Sequence, residues 1–271
     1  WMTALRVLTM SAESEGSRQR LQKVLSAAGL FSRRRAEMLM QEGRIRINGE
    51  LATEMGVRVD PDVDVVSVDG KVVPLKTSAL YIMLNKPRGV LSTMADEQGR
   101  PDLSAYVAQI GERVVNVGRL DGDTTGLLLM TNDGDLVHRL SHPTFEVTKV
   151  YTATVRGDVD QKVLAKLSAG VELDDGVTAA DKVKLVGQPR GGTSIVEIVL
   201  HSGKNRIIRR MMEAVGHPVI DLHRKALGGL HLGGLKPGTW RELSTLEVKD
   251  LLTIAHRKDF PAKESTDERA E

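Results

Sequence analysis

Residues 126–131, Gly-Leu-Leu-Leu-Met-Thr, limit the possible folds most strongly, because this segment lacks a polar face. Successive side chains of a β-strand point to opposite faces of its sheet, so a strand of this kind is buried on both sides. Residues 114–117 predict a shorter strand just before it, and Asp121 falls at the tight turn between the two. The sequence therefore predicts an acid held at the mouth of a buried sheet, with Arg119 beside it.

Further patterns alternate between helices and strands. Residues 20–42 predict two short helices, the second capped by Ser32, and Asn48-Gly49 predicts a hairpin turn. Residues 81–84 predict a short strand, and alternation of apolar and polar residues predicts strands at 148–156 and 194–200. Helical spacing predicts helices at 205–215 and 246–255. Strands joined mostly by short, hairpin-like loops, with two or three helices, indicate a mixed, largely antiparallel α+β domain.

These patterns divide the chain into two predicted domains. A small helical and β module with its linker occupies residues 18–76, and the larger α+β domain occupies residues 78–257. Residues 1–17 and 258–271 are polar and are predicted to be disordered tails.

Basic residues are concentrated in two blocks although the formal net charge is only +2. Three arginines at the start of the second short helix oppose its macrodipole, which indicates an external anion. We predict a phosphate-binding surface that includes Arg20, Lys23, Arg33, Arg34, Arg35 and Arg44 from the first block, and Lys204, Arg206 and Arg210 from the second. The alternative for either block is a solvated helix face.

Composition excludes several classes of site. The chain has no cysteine, so disulfides, thiolate nucleophiles and cysteine-based metal sites are ruled out. His138 and His142 have a metal-compatible spacing, but no third ligand accompanies them, so no metal site is predicted. No apolar run reaches the roughly 18 residues of a membrane span, and we expect a cytoplasmic protein.

The order of residues 117–134, with Gly118-Arg119-Leu120-Asp121 at its centre, resembles the signature of RNA pseudouridine synthases, in the RsuA/RluB-like branch that modifies ribosomal RNA. The resemblance covers about residues 18–250. It implies that Asp121 is catalytic, and leaves open whether Asp121 attacks the sugar or removes a sugar proton. It also implies that Arg119 fills the gap left by a flipped base. In Lys149-Val150-Tyr151 the resemblance places Tyr151 against the uracil, with Lys149 on the same strand face.

Residues 203–211 resemble the third motif of the same family, with Ile207 where a glutamine is usual. We predict that Arg209 pairs with Asp121 and orients it, while Arg206 and Arg210 face phosphate. Lys86, in a further matching segment, is predicted to contact substrate. Residues 18–66 resemble the alpha-L (S-four-like) RNA-binding module.

Together these features predict an enzyme that isomerises one uridine of ribosomal RNA to pseudouridine, with a mild preference for large-subunit RNA. The expected partner is a folded rRNA fragment or precursor, bound by a monomer without a cofactor or metal. The alternatives are a non-catalytic RNA-binding or ribosome-assembly factor and a nucleic-acid glycosylase. A protein that only binds RNA would gain nothing from Asp121, because a carboxylate repels phosphate. A glycosylase differs in that it releases free base.

Overall fold

The computed structural model describes residues 18–75 and 78–255, which form two compact units. The first unit runs to Leu80 and includes Val107–Val114, and the second comprises Tyr81–Tyr106 and the chain from Val115 onward. The predicted tails lie outside the described residues. Within the described ranges no helix is long and apolar enough to cross a bilayer.

Among its described residues, the first unit contains two complete helices and six short strands. The helices are α1 (Leu21–Ala27) and α2 (Arg33–Gln41). The strands are β1 (Gln19–Arg20), β2 (Ile45–Ile47), β3 (Glu50–Leu51), β4 (Arg58–Val59), β5 (Val66–Val68) and β6 (Lys71–Val72). β1 pairs with β4, and a four-stranded antiparallel sheet has the order β3-β2-β5-β6. Apolar residues of both helices and of this sheet form one buried core.

Local signals in this unit act as predicted. The Ser32 hydroxyl accepts a hydrogen bond from the Arg35 amide at 3.1 Å and so caps α2. Asn48 and Gly49 both have positive φ, at 50° and 90°, as a two-residue hairpin between β2 and β3 requires. The predicted helix cap and hairpin are therefore confirmed.

The second unit is built on a nine-stranded sheet. Its strands are β7 (Tyr81–Lys86), β8 (Val115–Asn116), β9 (Thr124–Thr131), β10 (Lys149–Arg156), β11 (Lys182–Leu185), β12 (Thr193–Leu200), β13 (Val219–Leu227), β14 (Leu230–His231) and β15 (Trp240–Glu242). The main path is β11-β12-β10-β13-β9-β7-β15, with β14 on β13 and β8 on β9. All pairs are antiparallel except β13 with β9, so the predicted fold class is confirmed.

Five helices accompany this sheet in the described part of the chain. They are α3 (Ser104–Ile110), which crosses the division between the units, α4 (Gly134–Ser141), α5 (Gln161–Ala169), α6 (Ile207–Ala214) and α7 (Thr245–Ala255). One core forms where α5 and α6 cover β10 and β12, and another where α4 and α7 cover β7 and β9. Leu127, Leu128, Leu129 and Met130 of β9 are completely buried, which confirms the predicted two-sided burial.

Candidate active site

The turn before β9 holds Asp121 beside a cavity. Leu120 is buried, and its amide and carbonyl both bond to the Ser92 hydroxyl, at 3.0 and 2.7 Å. The Thr124 amide donates to the Asp121 carbonyl at 3.0 Å and closes the turn. Arg119 and Asp121 flank the buried Leu120, and both line the cavity. A short loop thus holds the carboxylate at the sheet edge without burying it.

The cavity has a volume of about 400 Å³, within the range usual for small-molecule sites. Its walls come from the Asp121 turn, β10, β13 and the loop that leads into α6. Lys149 and Tyr151 both face it, as their alternation on β10 predicts. The structure therefore brings together three groups that are far apart in sequence: the acid, the tyrosine and the third-motif loop.

Lys149 contributes a half-buried amine to this cavity. Its Nζ donates to the carbonyl oxygens of Val147 at 2.8 Å and His201 at 3.0 Å. Burial, together with the charge of Arg224, lowers the pKa of Lys149 from 10.5 to about 8, although Asp181 opposes this shift. A lysine that is mostly protonated at neutral pH thus lies at the wall of the pocket.

The arginines of the third motif do not pair as predicted. Arg206 Nη1 lies 3.4 Å from Asp121 Oδ2, and Arg206 Nη2 lies 3.3 Å from Asp123 Oδ2. Arg209 instead contacts Asp123, at 3.1 Å from Nη2 to Oδ2, and donates to the Asp123 carbonyl at 3.3 Å. The predicted Arg209–Asp121 pair is therefore wrong, because α6 begins at Ile207 and directs Arg209 toward the second acid of the turn.

Asp123 is the carboxylate held most tightly by these cations. Its partial burial favours the neutral acid, but hydrogen bonds from Arg206 and the charges of Arg209 and Arg206 outweigh burial and lower the pKa of Asp123. Arg206 takes up an unusual left-handed backbone conformation, with φ of 46°, just before α6. Arg206 was predicted to face phosphate; in the structure it spans both carboxylates and remains 43 % exposed.

Lys86 does not reach the cavity. Its side chain is completely buried, and its Nζ donates to the carbonyls of Val90 at 2.6 Å and Pro87 at 3.1 Å. Burial lowers the pKa of Lys86 to about 8, while the charges of Asp123 and Asp121 oppose that shift. The predicted substrate contact is wrong, since the amine is enclosed by the loop that follows β7. Through this loop Lys86 supports the turn that holds Asp121, because the Gly89 amide donates to the Gly122 carbonyl at 2.7 Å.

Two other residues that were predicted to contact phosphate form ion pairs within the protein. Arg210 binds both Asp174, at 2.6 Å, and Asp175. Lys204 lines the cavity, but its Nζ is 3.5 Å from the Asp175 carboxylate and donates to the Thr178 hydroxyl at 3.3 Å. Arg210 is thus paired with acids of this chain and its contact with phosphate stays a prediction, while Lys204 lies at the rim of the cavity beside Asp175.

The basic residues of the first unit also divide into paired and open ones. Arg44 makes a two-pronged ion pair with Asp69, at 2.7 and 2.6 Å, and contacts Glu42 at 2.9 Å. Arg35 lies 3.4 Å from Glu42. Arg44 was predicted to bind RNA, but its guanidinium is already used within the protein.

Arg20, Arg33 and Arg34 are exposed, and Lys23 is half-buried. Arg33 and Arg34 form no ion pair with another described residue. These two arginines are therefore the cations at the start of α2 most available to an external anion.

His138 and His142 do not form a metal site. Their rings stack with centroids 5.2 Å apart, and Phe145 packs edge-on against both. Among the residues that the structure describes, no cluster of three histidine, cysteine, aspartate or glutamate side chains could hold an ion. The pair therefore closes the end of α4 by ring packing.

Sequence reasoning missed three residues of this site: Asp123, Thr124 and Arg224. Thr124 and Arg224 are buried and line the cavity, and Asp123 binds Arg206 and Arg209. Arg224 was missed because residues 219–227 were not predicted to form a strand. Alternation in Ile220, Leu222, Arg224 and Ala226 was the available signal.

Comparison with known proteins connects this chain to one type of enzyme. Residues 80–214 match the family model described as RNA pseudouridylate synthase, and residues 19–65 match the S4 domain. An RNA pseudouridine synthase of Mycobacterium tuberculosis, described as uncharacterized, is 48 % identical over 249 residues, which cover 89 % of this chain and 98 % of the relative. The ribosomal large subunit pseudouridine synthase B of Bacillus subtilis is 44 % identical over 238 residues, covering 88 % and 97 %.

Similarity extends to a solved structure. A crystal structure described as that of a pseudouridylate synthase aligns with a TM-score of 0.59 and 27 % identity, covering 86 % of this chain and 99 % of the other. The match thus spans nearly the whole of both chains.

Proposed function

This chain belongs to the RNA pseudouridine synthase family, and we propose that it isomerises one specific uridine of ribosomal RNA, with large-subunit RNA preferred. RNA is its substrate class, in keeping with the S4 domain match. The large subunit is inferred from the Bacillus subtilis relative, which covers most of the chain. We further propose a monomer that acts in the cytoplasm on a folded rRNA fragment or precursor, without a cofactor.

One observation carries the catalytic assignment: Asp121 and Tyr151 line the same cavity. The glycosidic bond of a stacked nucleotide is inaccessible, so the uridine must leave its helix before it can react. In the proposed complex the everted nucleoside enters the cavity, Asp121 acts on the ribose and Tyr151 lies against the base. A carboxylate suits this role, because it is ionised at neutral pH and can form or release a covalent bond.

Asp121 can act on the ribose in two ways, which are left open. As a nucleophile it bonds to the sugar carbon that the base leaves; as a base it removes a sugar proton. In either case the guanidinium of Arg206, 3.4 Å away, pairs with this carboxylate. This guanidinium replaces Arg209 in the role that the sequence predicted.

Arg119 is the best-placed group for the gap left in the RNA. It is exposed at the mouth of the cavity, two residues before the acid, and makes no ion pair with another described residue. A planar guanidinium can stack on bases as well as bind phosphate. The exposed Arg33 and Arg34 of the first unit supply affinity through phosphate contacts rather than sequence readout.

Pseudouridine mapping tests the proposal directly. Ribosomal RNA is compared between cells with the gene, cells without it, and deletion cells carrying either Asp121→Asn or Asp158→Asn. Asp158 is exposed on the same unit and lies outside the cavity lining, so its variant serves as the matched control. We expect one pseudouridine to vanish with the gene, return with Asp158→Asn and stay absent with Asp121→Asn.

Different outcomes identify the alternatives. An unchanged map in the deletion strain would favour the non-catalytic RNA-binding factor. Release of free uracil from the target RNA, with a corresponding drop in RNA mass, would indicate a glycosylase, because isomerisation leaves the mass unchanged. Modification that persists with Asp121→Asn would refute the catalytic role of this aspartate.

A further inference from the structure

Two buried polar atoms in the cavity lack partners. Arg224 is 3 % exposed and Thr124 is 2 % exposed, and both line the cavity. Arg224 Nη2 and Thr124 Oγ1 have no hydrogen-bond partner among the described residues. Buried polar groups are nearly always bonded, so two orphans in one pocket indicate that something else completes them.

The sheet register places these atoms on one face. Arg224 lies opposite Tyr151 on β10, and Leu222, two residues earlier on β13, lies opposite Thr124 on β9. Residues directly opposite each other in neighbouring strands share a face. The intervening His223 and Thr125 face the other way, where Nδ1 and Oγ1 are 2.8 Å apart.

Arg224 is held rigidly in this position. Its Nε donates to the Leu127 carbonyl at 2.7 Å, which fixes the plane of the guanidinium. Gly126 lets the β13 backbone approach closely, since a Cβ there would meet the backbone atoms of Arg224. The guanidinium is thus anchored through Nε, while Nη2 beside it on the same edge has no partner among the described residues and remains for a ligand.

The burial of Arg224 limits which part of a substrate can reach it. A guanidinium stays charged at any physiological pH, and a buried, incompletely bonded cation is strongly destabilising. The RNA backbone stays at the rim, where Arg119 and Arg206 are exposed. Only the part of the substrate that enters the cavity can reach Arg224, and in the proposed reaction that part is the uracil ring.

We propose that Arg224 and Thr124 bind the uracil itself, with Arg224 Nη2 donating to a ring carbonyl oxygen and the Thr124 hydroxyl bonding to the same polar edge. This assignment rests on the proposed function and adds a catalytic role to it. Uracil has two carbonyl oxygens that accept hydrogen bonds and, between them, an N–H group that donates one. A guanidinium can donate to a carbonyl oxygen, and a hydroxyl can donate or accept. Cytosine replaces one carbonyl with an amine, so it would set a donor against the cation.

The guanidinium also acts on the bond that breaks. When the N1–C1′ bond cleaves, its electron pair stays on uracil, and the negative charge spreads over N1 and both carbonyl oxygens. Asp121 compensates for the electron pair that leaves the sugar, either by bonding to C1′ or by removing a sugar proton. After the base turns, C5 gives an electron pair to C1′, while the Asp121–C1′ bond breaks or Asp121 returns its proton to the sugar. C5 then releases its proton to water and N1 takes one up, so the product has the same composition as the uridine. Arg224 stabilises the anion between these steps.

Single-turnover kinetics of Arg224 variants test the assignment. The probe is large-subunit rRNA transcribed with [5-³H]uridine, which releases tritium when C5 bonds to the sugar. Arg224→Met should lower the rate constant by about 100-fold or more, as expected for loss of an electrostatic donor. Arg224→Lys should retain part of the rate. RNA affinity should change little, because phosphate contacts dominate it.

A matched pair of threonine variants separates a ligand role from a structural one. Thr131 lies on the same strand and is equally buried, but its hydroxyl accepts a hydrogen bond from the Asp133 amide at 3.0 Å. Thr124→Val should slow the reaction by about tenfold and keep or raise the melting temperature, since its hydroxyl is unsatisfied without substrate. Thr131→Val should lower the melting temperature and leave the rate intact.

A better leaving group tests the electronic role. Fluorine at C5 makes the departing base a weaker base, so it needs less stabilisation by Arg224. In RNA transcribed with 5-fluorouridine, consumption of the fluorinated nucleoside is followed by mass spectrometry. We expect the defect of Arg224→Met to shrink at least fivefold on this RNA. A defect of equal size on both RNAs would overturn the leaving-group role.

The results also separate this assignment from the proposed function. Active wild-type protein together with an equally active Arg224→Met would overturn the uracil contact alone. Equal slowing by Thr124→Val and Thr131→Val, each with a lower melting temperature, would show a structural role and overturn it as well. Wild-type protein that releases no tritium would overturn the proposed function and this assignment with it.

Discussion

Replacing Gly126 with alanine perturbs the contact between β9 and β13 on which the pocket depends. Gly126 has φ of +107°, and a Cβ on its backbone would lie 2.7 Å from the Arg224 nitrogen and closer still to the Arg224 carbonyl oxygen. Both atoms belong to the backbone of a central strand, so no change of rotamer relieves the contact. The strands must separate where Arg224 enters the cavity.

The size of the effect follows from two contributions. Alanine at a positive φ costs about 1–2 kcal/mol relative to glycine. Overpacking of a tightly packed interior adds typically about 1–3 kcal/mol. Gly176 provides the matched control, because its φ of +104° is nearly the same and a Cβ added there would have no neighbouring atom within 4 Å. Gly176→Ala should therefore cost only the first contribution.

Urea titration followed by circular dichroism measures both variants. Gly126→Ala should lower the free energy of unfolding by about 1–3 kcal/mol more than Gly176→Ala, which corresponds to a melting temperature lower by roughly 2–12 °C. Gly126→Ala should also slow pseudouridine formation, because Arg224 shifts. Equal destabilisation by the two variants would refute the reasoning, since it would mean that the close approach of β13 has no energetic consequence.

Two further predictions concern charges. Burial lowers the pKa of Lys86 from 10.5 to about 8, so between these pH values the unfolded chain binds the proton that the folded chain has released. The stability of the wild type, measured by urea titration, should therefore rise relative to Lys86→Met by about 1–2 kcal/mol from pH 8 to 9.5, and a constant difference would contradict the burial of this amine. In RNA-binding titrations over a range of salt concentrations, Arg33→Gln with Arg34→Gln should reduce the slope by about 1–2, as expected for two lost phosphate contacts. Arg44→Gln, which breaks the ion pair with Asp69, should lower stability and leave the slope of the salt dependence unchanged. Equal slopes for the wild type, the double variant and Arg44→Gln would count against the availability of the α2 arginines.

Local features could be predicted from the sequence because they depend on neighbouring residues. The Ser32 cap, the Asn48-Gly49 hairpin and the buried strand at β9 each follow from a few consecutive side chains. The position of Asp121 at a turn before that strand follows in the same way. The resemblance of residues 117–134 also identified the family to which the chain belongs.

Pairing partners could not be predicted in this way, because they depend on how distant segments meet. Arg206 and Arg209 are three residues apart, and the start of α6 decides which of them reaches Asp121. Arg210 was expected to face phosphate, but the loop with Asp174 lies next to it. Ion pairs are set by ångström-scale distances, which no spacing along the chain specifies.

The sequence by itself determined the elements, the fold class and the type of acid at the turn, because these follow from periodicity and local turn chemistry. The tertiary structure alone decided that Lys86 is enclosed and that Arg224 lies at the cavity wall opposite Tyr151. The loop after β7 encloses the Lys86 amine through the carbonyls of Pro87 and Val90. Strand order places Arg224: β13 is inserted between β10 and β9, which brings residues about 70 and 100 positions apart onto one face. Burial and hydrogen-bond partners depend on that arrangement. A lysine and an arginine that look equally exposed in sequence therefore become a structural support and a candidate ligand for the base.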